Sequence, residues 1–463
     1  MSAIPVVPGL PLVGHLLSIR DHRLELQLRI AREYGDLARV RVGFFSPVFV
    51  TSPELAHEVL VEHADAFSKA PGLSIFVRPL LGDGLLTSER EVHRRQRRMI
   101  APVFVQKRIA QYAQEMAERT ERHQAAWPDG AEIDAAEQMM RLTLEIVGKM
   151  LFDAEVGGDA EIIGDALTEA MSYVITSVTS LFPIPPVIPT PTNLRARRTV
   201  ARLDEILYRI IRERRASGGD RGDLLSMLIA ARDEDATGRM DDRQIRDEAM
   251  TIFLAGHETT ANALAWTLYL LAQHPAAYDR LLQEADDVIG DRLPAVADLP
   301  KLPWTLAVLK ESMRLYPPAF LVPRRATREV TLGGHRLSRH TIVLVNIYGM
   351  HRKARYFPDP DRFDPARFVG DAEKAIPRGA YMPFGAGPRI CIGNHFALME
   401  GQILLAALAR RVRLELVPGH HAVPAPLMTL RPRDGIRMRV HRRAPAPRPV
   451  ALKPPAGDRV VSG

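Results

Sequence analysis

A chain of 463 residues, 46% hydrophobic and 25% charged, has ample apolar material for a large core and the balance of an ordinary globular protein. Its single cysteine excludes any intramolecular disulfide and any multi-cysteine zinc or iron–sulfur site, and suits a reducing cytoplasm. The net charge of +7 is spread along the chain rather than gathered into a basic stripe with aromatic partners, which argues against a nucleic-acid partner.

The N-terminal stretch MSAIPVVPGLPLVGHLL has no basic leader and is interrupted by prolines, so it reads as neither a signal peptide nor a membrane anchor. Residues 37–51 alternate and turn as a β-hairpin would. In SEREVHRRQRRMIAPVF, His93 and Arg97 fall four residues apart on one side of a helix, and Arg94, Arg95 and Arg98 form a solvated face. Helices are predicted over 110–126, 138–151, 198–215, 241–273 and 304–316. Residues 173–189, YVITSVTSLFPIPPVIP, are apolar but broken by four prolines and too short to span a bilayer, leaving a peripheral membrane touch open. The segment 241–273 begins with acidic residues and runs until His274-Pro275 stops it, roughly 50 Å at ~1.5 Å per residue. It is apolar nearly all round, the mark of a central buried helix. Yet AGHETT interrupts it with Glu258, Thr259 and Thr260, a costly set inside an apolar helix. KESMRLYPP then places Glu311 and Arg314 one turn apart on one face; alone, this reads as a surface ion pair. Residues 330–348 carry a Gly333-Gly334 turn between extended runs. The segment from Arg442 onward is Pro/Ala/Arg-rich and reads as a disordered tail after a single domain over 1–440. The architecture predicted is mainly α with a minor β region.

The one cysteine stands in PFGAGPRICIG, residues 383–393, just before a helix. A lone cysteine is ordinarily a buried small hydrophobe. Here Gly385 and Gly387 permit a tight bend and close approach to a flat object. Backbone N–H groups and the positive end of the following helix favour a thiolate. A cysteine nucleophile paired with His395 would put both groups on one short helix turn, a poor arrangement for catalysis.

The run Phe384 to Gly393 resembles the haem-binding loop of the cytochrome P-450 monooxygenases. Further motifs follow in the family's order over residues 5–440, including Phe363-Asp364-Pro365-Ala366-Arg367-Phe368. The resemblance implies a long central helix over a haem b whose iron is held by Cys391. Phe384, Ala255 and Gly256 would border the haem, and His93, Arg97, Arg324 and Arg389 would meet its propionates. Thr259 and Glu258 would deliver protons for O2 activation, and Glu311, Arg314 and Arg367 would form a structural ion cluster. By position, the substrate pocket would draw on Ile75, Phe76, Val174 to Phe182, Phe253, Ala319, Phe320, Val322, Leu427 and Met428. These are nearly all apolar, which implies a fatty acid, terpenoid or steroid-like substrate that is hydroxylated or epoxidised. The haem domain takes the whole chain, so NAD(P)H electrons would come through a separate ferredoxin or flavodoxin and its reductase. A cytoplasmic monomer is expected. Two alternatives are a peroxide-using or isomerising haem-thiolate enzyme and a non-catalytic haem sensor or carrier; neither explains the Glu258-Thr259 pair.

Overall fold

The computed structural model describes residues 3–105, 110–152, 166, 169–170, 172–174, 176–177, 184–217, 221–231 and 238–444. The helices that position the site are α1 (Leu16–Asp21), α2 (Arg23–Glu33), α3 (Arg90–Ile100), α4 (Ala113–Ala125), α5 (Ala135–Phe152), α6 (Pro191–Ser217), α7 (Asp242–Gln273), α8 (Pro275–Val288), α9 (Pro303–Leu315) and α10 (Asn394–Ala409). The predicted helices are therefore all present, with ends displaced by a few residues. The largest displacement is in α6, which starts at Pro191 rather than 198. Pro191 fits the first helical turn, and the Thr190 hydroxyl accepts from Asn193 N at 3.1 Å.

The central helix α7 starts where its sequence says it should. The Asp241 side chain caps it by accepting from Gln244 N, and His274-Pro275 ends it. It packs along α5 and also touches α9 and α10, so most of its circumference is covered. That explains why it is apolar all round. Phe253 and Trp266 are enclosed completely; truncating a side chain of this kind typically costs ~3–5 kcal/mol. Trp266 stacks on Tyr316 at 4.0 Å and donates through Nε1 to Leu430 O at 3.0 Å, tying α7 to the C-terminal β region.

The β region is split among small sheets. Strands β1 (Leu37–Arg39) and β2 (Val48–Val50) form the expected hairpin, with Leu37 opposite Val50. They belong to a five-stranded sheet that also holds β3 (Phe67–Lys69), β5 (Val322–Ala326) and β8 (Ile342–Val345), in the order β1-β2-β8-β5-β3. A second sheet of three joins β4 (Glu132–Asp134), β9 (Val412–Leu416) and β12 (Arg437–Arg442). Two hairpins complete the set, β6 (Val330–Leu332) with β7 (His335–Leu337) and β10 (Pro424–Pro426) with β11 (Leu430–Pro432).

The structure adds detail at two places. In 330–348, β6 and β7 turn at Gly333-Gly334 as expected, and β8 leaves to run parallel to β2 in the larger sheet. Its partner lies about 300 residues away in sequence, beyond the reach of any local pattern. At the C-terminal end, β12 passes 440 and reaches Arg442. Arg443 continues the contact, its N–H bonded to Arg411 O and its guanidinium to Asp286. The remaining tail, 445–463, lies outside the described residues.

Candidate active site

The loop before α10 closes on itself through Cys391 N, which donates to Phe384 O at 3.0 Å. Gly385 and Gly387 have φ of +72° and +71°, the left-handed region that costs glycine nothing. A Cβ at Gly387 would lie 2.0 Å from Leu60 O, whereas the space at Gly385 is open. The Cys391 sulfur receives the Gly393 N–H just where α10 begins. Burial pushes the thiol up, opposed by that N–H and by the Arg97 guanidinium. Arg97 is itself held by Ile390 O at 2.8 Å. The Cys391 side chain is accessible although protein surrounds it nearly completely, so it faces an interior void. Ala255 tells the same of α7: it is exposed in mid-helix while Phe253, Leu254, His257 and Glu258 are buried.

Beside this void lies an excess of buried positive charge. Lys69 on β3 is paired directly with Arg324 on β5, a like-charge cross-strand pair that is unfavourable without an anion. Arg389 is bonded to Ser88 O and to Glu89. Burial, with Arg389 next, drives Lys69 down to about 7 and His93 to about 3; burial also lowers Arg324 to about 10. Lys69, Arg324 and Arg389 thus all draw on the carboxylate of Glu89, which Lys69 supplements with Glu248. A flat dianionic ligand with a metal open to a sulfur fits both halves of the site: its acid groups would meet the cations, and its metal would meet Cys391. A haem answers that description. The family-derived set His93, Arg97, Arg324 and Arg389 is brought together here. Lys69 joins them, and no local signal in SKAP announces it.

On α7, the Thr259 hydroxyl donates back to Ala255 O at 2.6 Å. Glu258 is buried, and one of its oxygens accepts from Thr429 Oγ1 and from Arg431, each at 2.6 Å. Asn262 donates to the same Thr429 at 3.1 Å. The costly carboxylate of the sequence is therefore paired from β11 and the turn before it. Gly256 lets α7 approach α5, since a Cβ there would press on Val147 at 3.3 Å. The helix remains continuous at this point. One turn on, Thr260 bonds the buried carboxyl of Glu400 on α10, which burial pushes up to about 8. Glu400 was not singled out in the sequence because ALMEGQ has no distinguishing pattern.

Glu311 and Arg314 are wholly enclosed, and the surface-pair reading of that motif is replaced by a buried one. Arg314 uses all five N–H donors: two reach Glu311 at 2.7 and 2.8 Å, and three reach the carbonyls of His351, Pro360 and Arg362. Arg367 stands 3.6 Å from the same carboxylate as a charge contact. His351, unremarked in the sequence, links this cluster to the cysteine loop: its Nε2 accepts from Met382 N at 3.0 Å.

The expected substrate contacts divide. Ala319 is exposed and Val322, Leu427 and Met428 are half-buried, surfaces a ligand could touch. Phe253 and Val174 are enclosed in the main core, and Phe320 packs with Leu24, Tyr348 and Leu430. Ile75 is exposed, and Phe76 borders a cavity of about 180 Å³ with Leu80, Tyr173 and Val200. Residues 175 and 178–182 of the expected pocket lie outside the described residues.

A cytochrome P-450 family model matches residues 4–438. Cyclooctatin synthase of Streptomyces melanosporofaciens is 38% identical over 91% of this chain and 92% of its own. Cyclooctat-9-en-7-ol 5-monooxygenase of the same organism is 38% identical over 89% and 90%. Pentalenene oxygenase of Streptomyces avermitilis is 33% identical over 95% and 97%. The fold is similar to the crystal structure of the cytochrome P-450DA heme domain, with a TM-score of 0.87 and 28% identity over 96% of this chain and 99% of that one.

Proposed function

Since the chain belongs to the cytochrome P-450 family, a haem-thiolate monooxygenase family, we propose that it inserts one oxygen atom into a cyclic terpenoid, with electrons from a separate ferredoxin or flavodoxin. The names of three relatives support the substrate class, since they describe acting on ring-bearing alkenes and alkenols or making cyclooctatin. The single observation that carries the site assignment is the accessible Cys391 facing a void beside a buried cluster of cations in which Lys69 stands opposite Arg324.

When bound, haem supplies O2 activation, and thiolate donation favours O–O cleavage. The chain's residues do the rest. Cys391 would ligate the iron, its thiolate favoured by the Gly393 N–H and by Arg97. Lys69, His93, Arg324 and Arg389 would hold the propionates by charge-assisted bonds. Thr259 keeps its hydroxyl proton on Ala255 O, next to the accessible face of α7, from which it can turn toward a reacting oxygen. Glu258 would pass to that hydroxyl a proton taken up from solvent, its carboxyl oriented by Thr429 and Arg431 through one of its two oxygens. Ala319, Val322, Leu427 and Met428 would offer apolar contacts that orient a hydrocarbon and exclude water.

The test is turnover by the haem-loaded protein with NADPH, an acidic ferredoxin and its reductase, across a panel of cyclic terpenoid alkenes and alcohols. Substrate-dependent NADPH consumption and a product heavier by one oxygen are expected. An isomeric product, or turnover supported by peroxide alone, would replace the monooxygenase reading with the rearranging or peroxide-using one.

A further inference from the structure

The turn between β10 and β11, residues 427–429, is anchored at both ends. Arg23 donates to Pro426 O at 2.7 Å, and Leu430 N donates to Pro318 O at 3.0 Å. Leu430 O accepts from Trp266 Nε1 on α7 at 3.0 Å. Between these anchors Leu427 and Met428 are half-buried, whereas Thr429 is buried. The Thr429 hydroxyl has one proton to give, and it goes to Glu258 Oε1 at 2.6 Å. Asn262 Nδ2 donates to the hydroxyl oxygen at 3.1 Å, so the rotor is fixed from both sides. One short turn therefore offers two apolar side chains to a ligand, and its next residue grips the carboxyl group on α7.

Glu258 has a second partner, but the two differ in kind. Arg431 reaches the same oxygen at 2.6 Å through a long side chain that is 31% exposed, so it can follow the carboxyl group. The Thr429 hydroxyl sits on the Cβ of a β-branched residue with a stiff χ1, so it moves with the backbone of the turn. A shift of the turn imposed through Leu427 and Met428 is thus passed directly to Glu258. A bond of 2.6 Å stretched past about 3.0 Å no longer holds its acceptor in place. We propose that Thr429 is a positioning residue through which the fit of the substrate on the 427–429 turn sets the orientation of the Glu258 carboxyl group. A substrate that seats well on the turn leaves this bond intact; one that displaces the turn breaks it, and electrons then go to peroxide. The proposal rests on the reading of Glu258 as proton donor to Thr259.

Infrared difference spectra of the haem-loaded protein, with and without the cyclic terpenoid of the turnover panel that binds most tightly, read the carboxyl group directly. The Glu258 band is the one missing from Glu258→Gln. In the wild type it should shift when the terpenoid binds. In Thr429→Val, which keeps the shape and removes the donor, the shift should disappear, and Thr429→Ser should restore it. In turnover, Thr429→Val should lower the product formed per NADPH about tenfold, part of the ~10²–10⁴ that a positioned acid contributes, with the terpenoid dissociation constant changed less than about twofold. Asn262→Leu releases the rotor and should act in the same direction, less strongly. A band that shifts equally in the wild type and Thr429→Val, or coupling unchanged in that variant, would overturn the proposal. So would a Thr429→Ser protein as impaired as the valine variant, which would reduce the residue to packing. Coupling left intact by Glu258→Gln would remove the proton-delivery reading itself, while the infrared shift would still decide whether Thr429 links the turn to the carboxyl group.

Discussion

Replacing Glu311 with alanine would strip a wholly enclosed arginine of its counter-charge. Arg314 would keep its three carbonyl partners but lose two hydrogen bonds to the carboxylate. Asp364 N would lose its acceptor at 2.8 Å, and Arg367 its charge partner at 3.6 Å. Removing one member of a buried pair typically costs ~3–5 kcal/mol, a large share of the ~5–15 kcal/mol that stabilises a domain. The loss would reach the cysteine loop through His351. Its ring is kept neutral by burial, at about 3, and accepts from Met382 N two residues before Phe384. Urea unfolding followed by fluorescence, with haem content measured in parallel, should show a lowered midpoint and poor haem retention. Glu311→Gln keeps the shape without the charge and should fall between. The double change Glu311→Leu with Arg314→Met should recover only part of the loss, because three loop carbonyls remain without donors. A Glu311→Ala protein with unchanged midpoint and full haem would refute the clamp.

Thr259→Ala should still bind substrate and consume NADPH while diverting electrons to peroxide; unchanged coupling would remove the hydroxyl from the mechanism. Arg431→Leu leaves Glu258 held by Thr429 alone and should lower the coupling of NADPH to product; unchanged coupling would separate that contact from the mechanism. Burial pushes Glu248 and Glu400 up to about 8, so the folded protein holds protons that the unfolded chain releases near 4.5. With more protons bound in the folded state, stability should fall from about pH 5 to about pH 7, and Glu400→Gln should flatten part of that fall. Wild-type unfolding midpoints that do not change over this range would contradict it. Arg94 and Arg98 are exposed on α3, so charge reversal at either should slow reduction by an acidic ferredoxin, most visibly at low salt. Stopped-flow rates indifferent to salt and to both reversals would move the docking surface elsewhere.

The sequence by itself determined whatever depends on neighbours along the chain. Helical periodicity, the Asp241 cap and the His274-Pro275 stop define α7 almost to the residue. The glycines around Cys391 announce their positive φ, since few other residues tolerate it. Glu311 and Arg314 are one turn apart, so their pairing follows from helix geometry alone. Tertiary structure decided what depends on distant partners. Lys69 acquires its meaning only when β3 sets it opposite Arg324, and His351 only when it reaches Met382 N. The carboxylate of Glu258 looks unaffordable inside α7 until Thr429 and Arg431 arrive from the other end of the chain. Phe253 and Phe320 are as apolar as any pocket residue, but burial in the core cannot be told from lining a cavity by composition. Local geometry is written in short spacings, whereas the encounter of charges hundreds of residues apart is fixed only by how the sheets and helices pack.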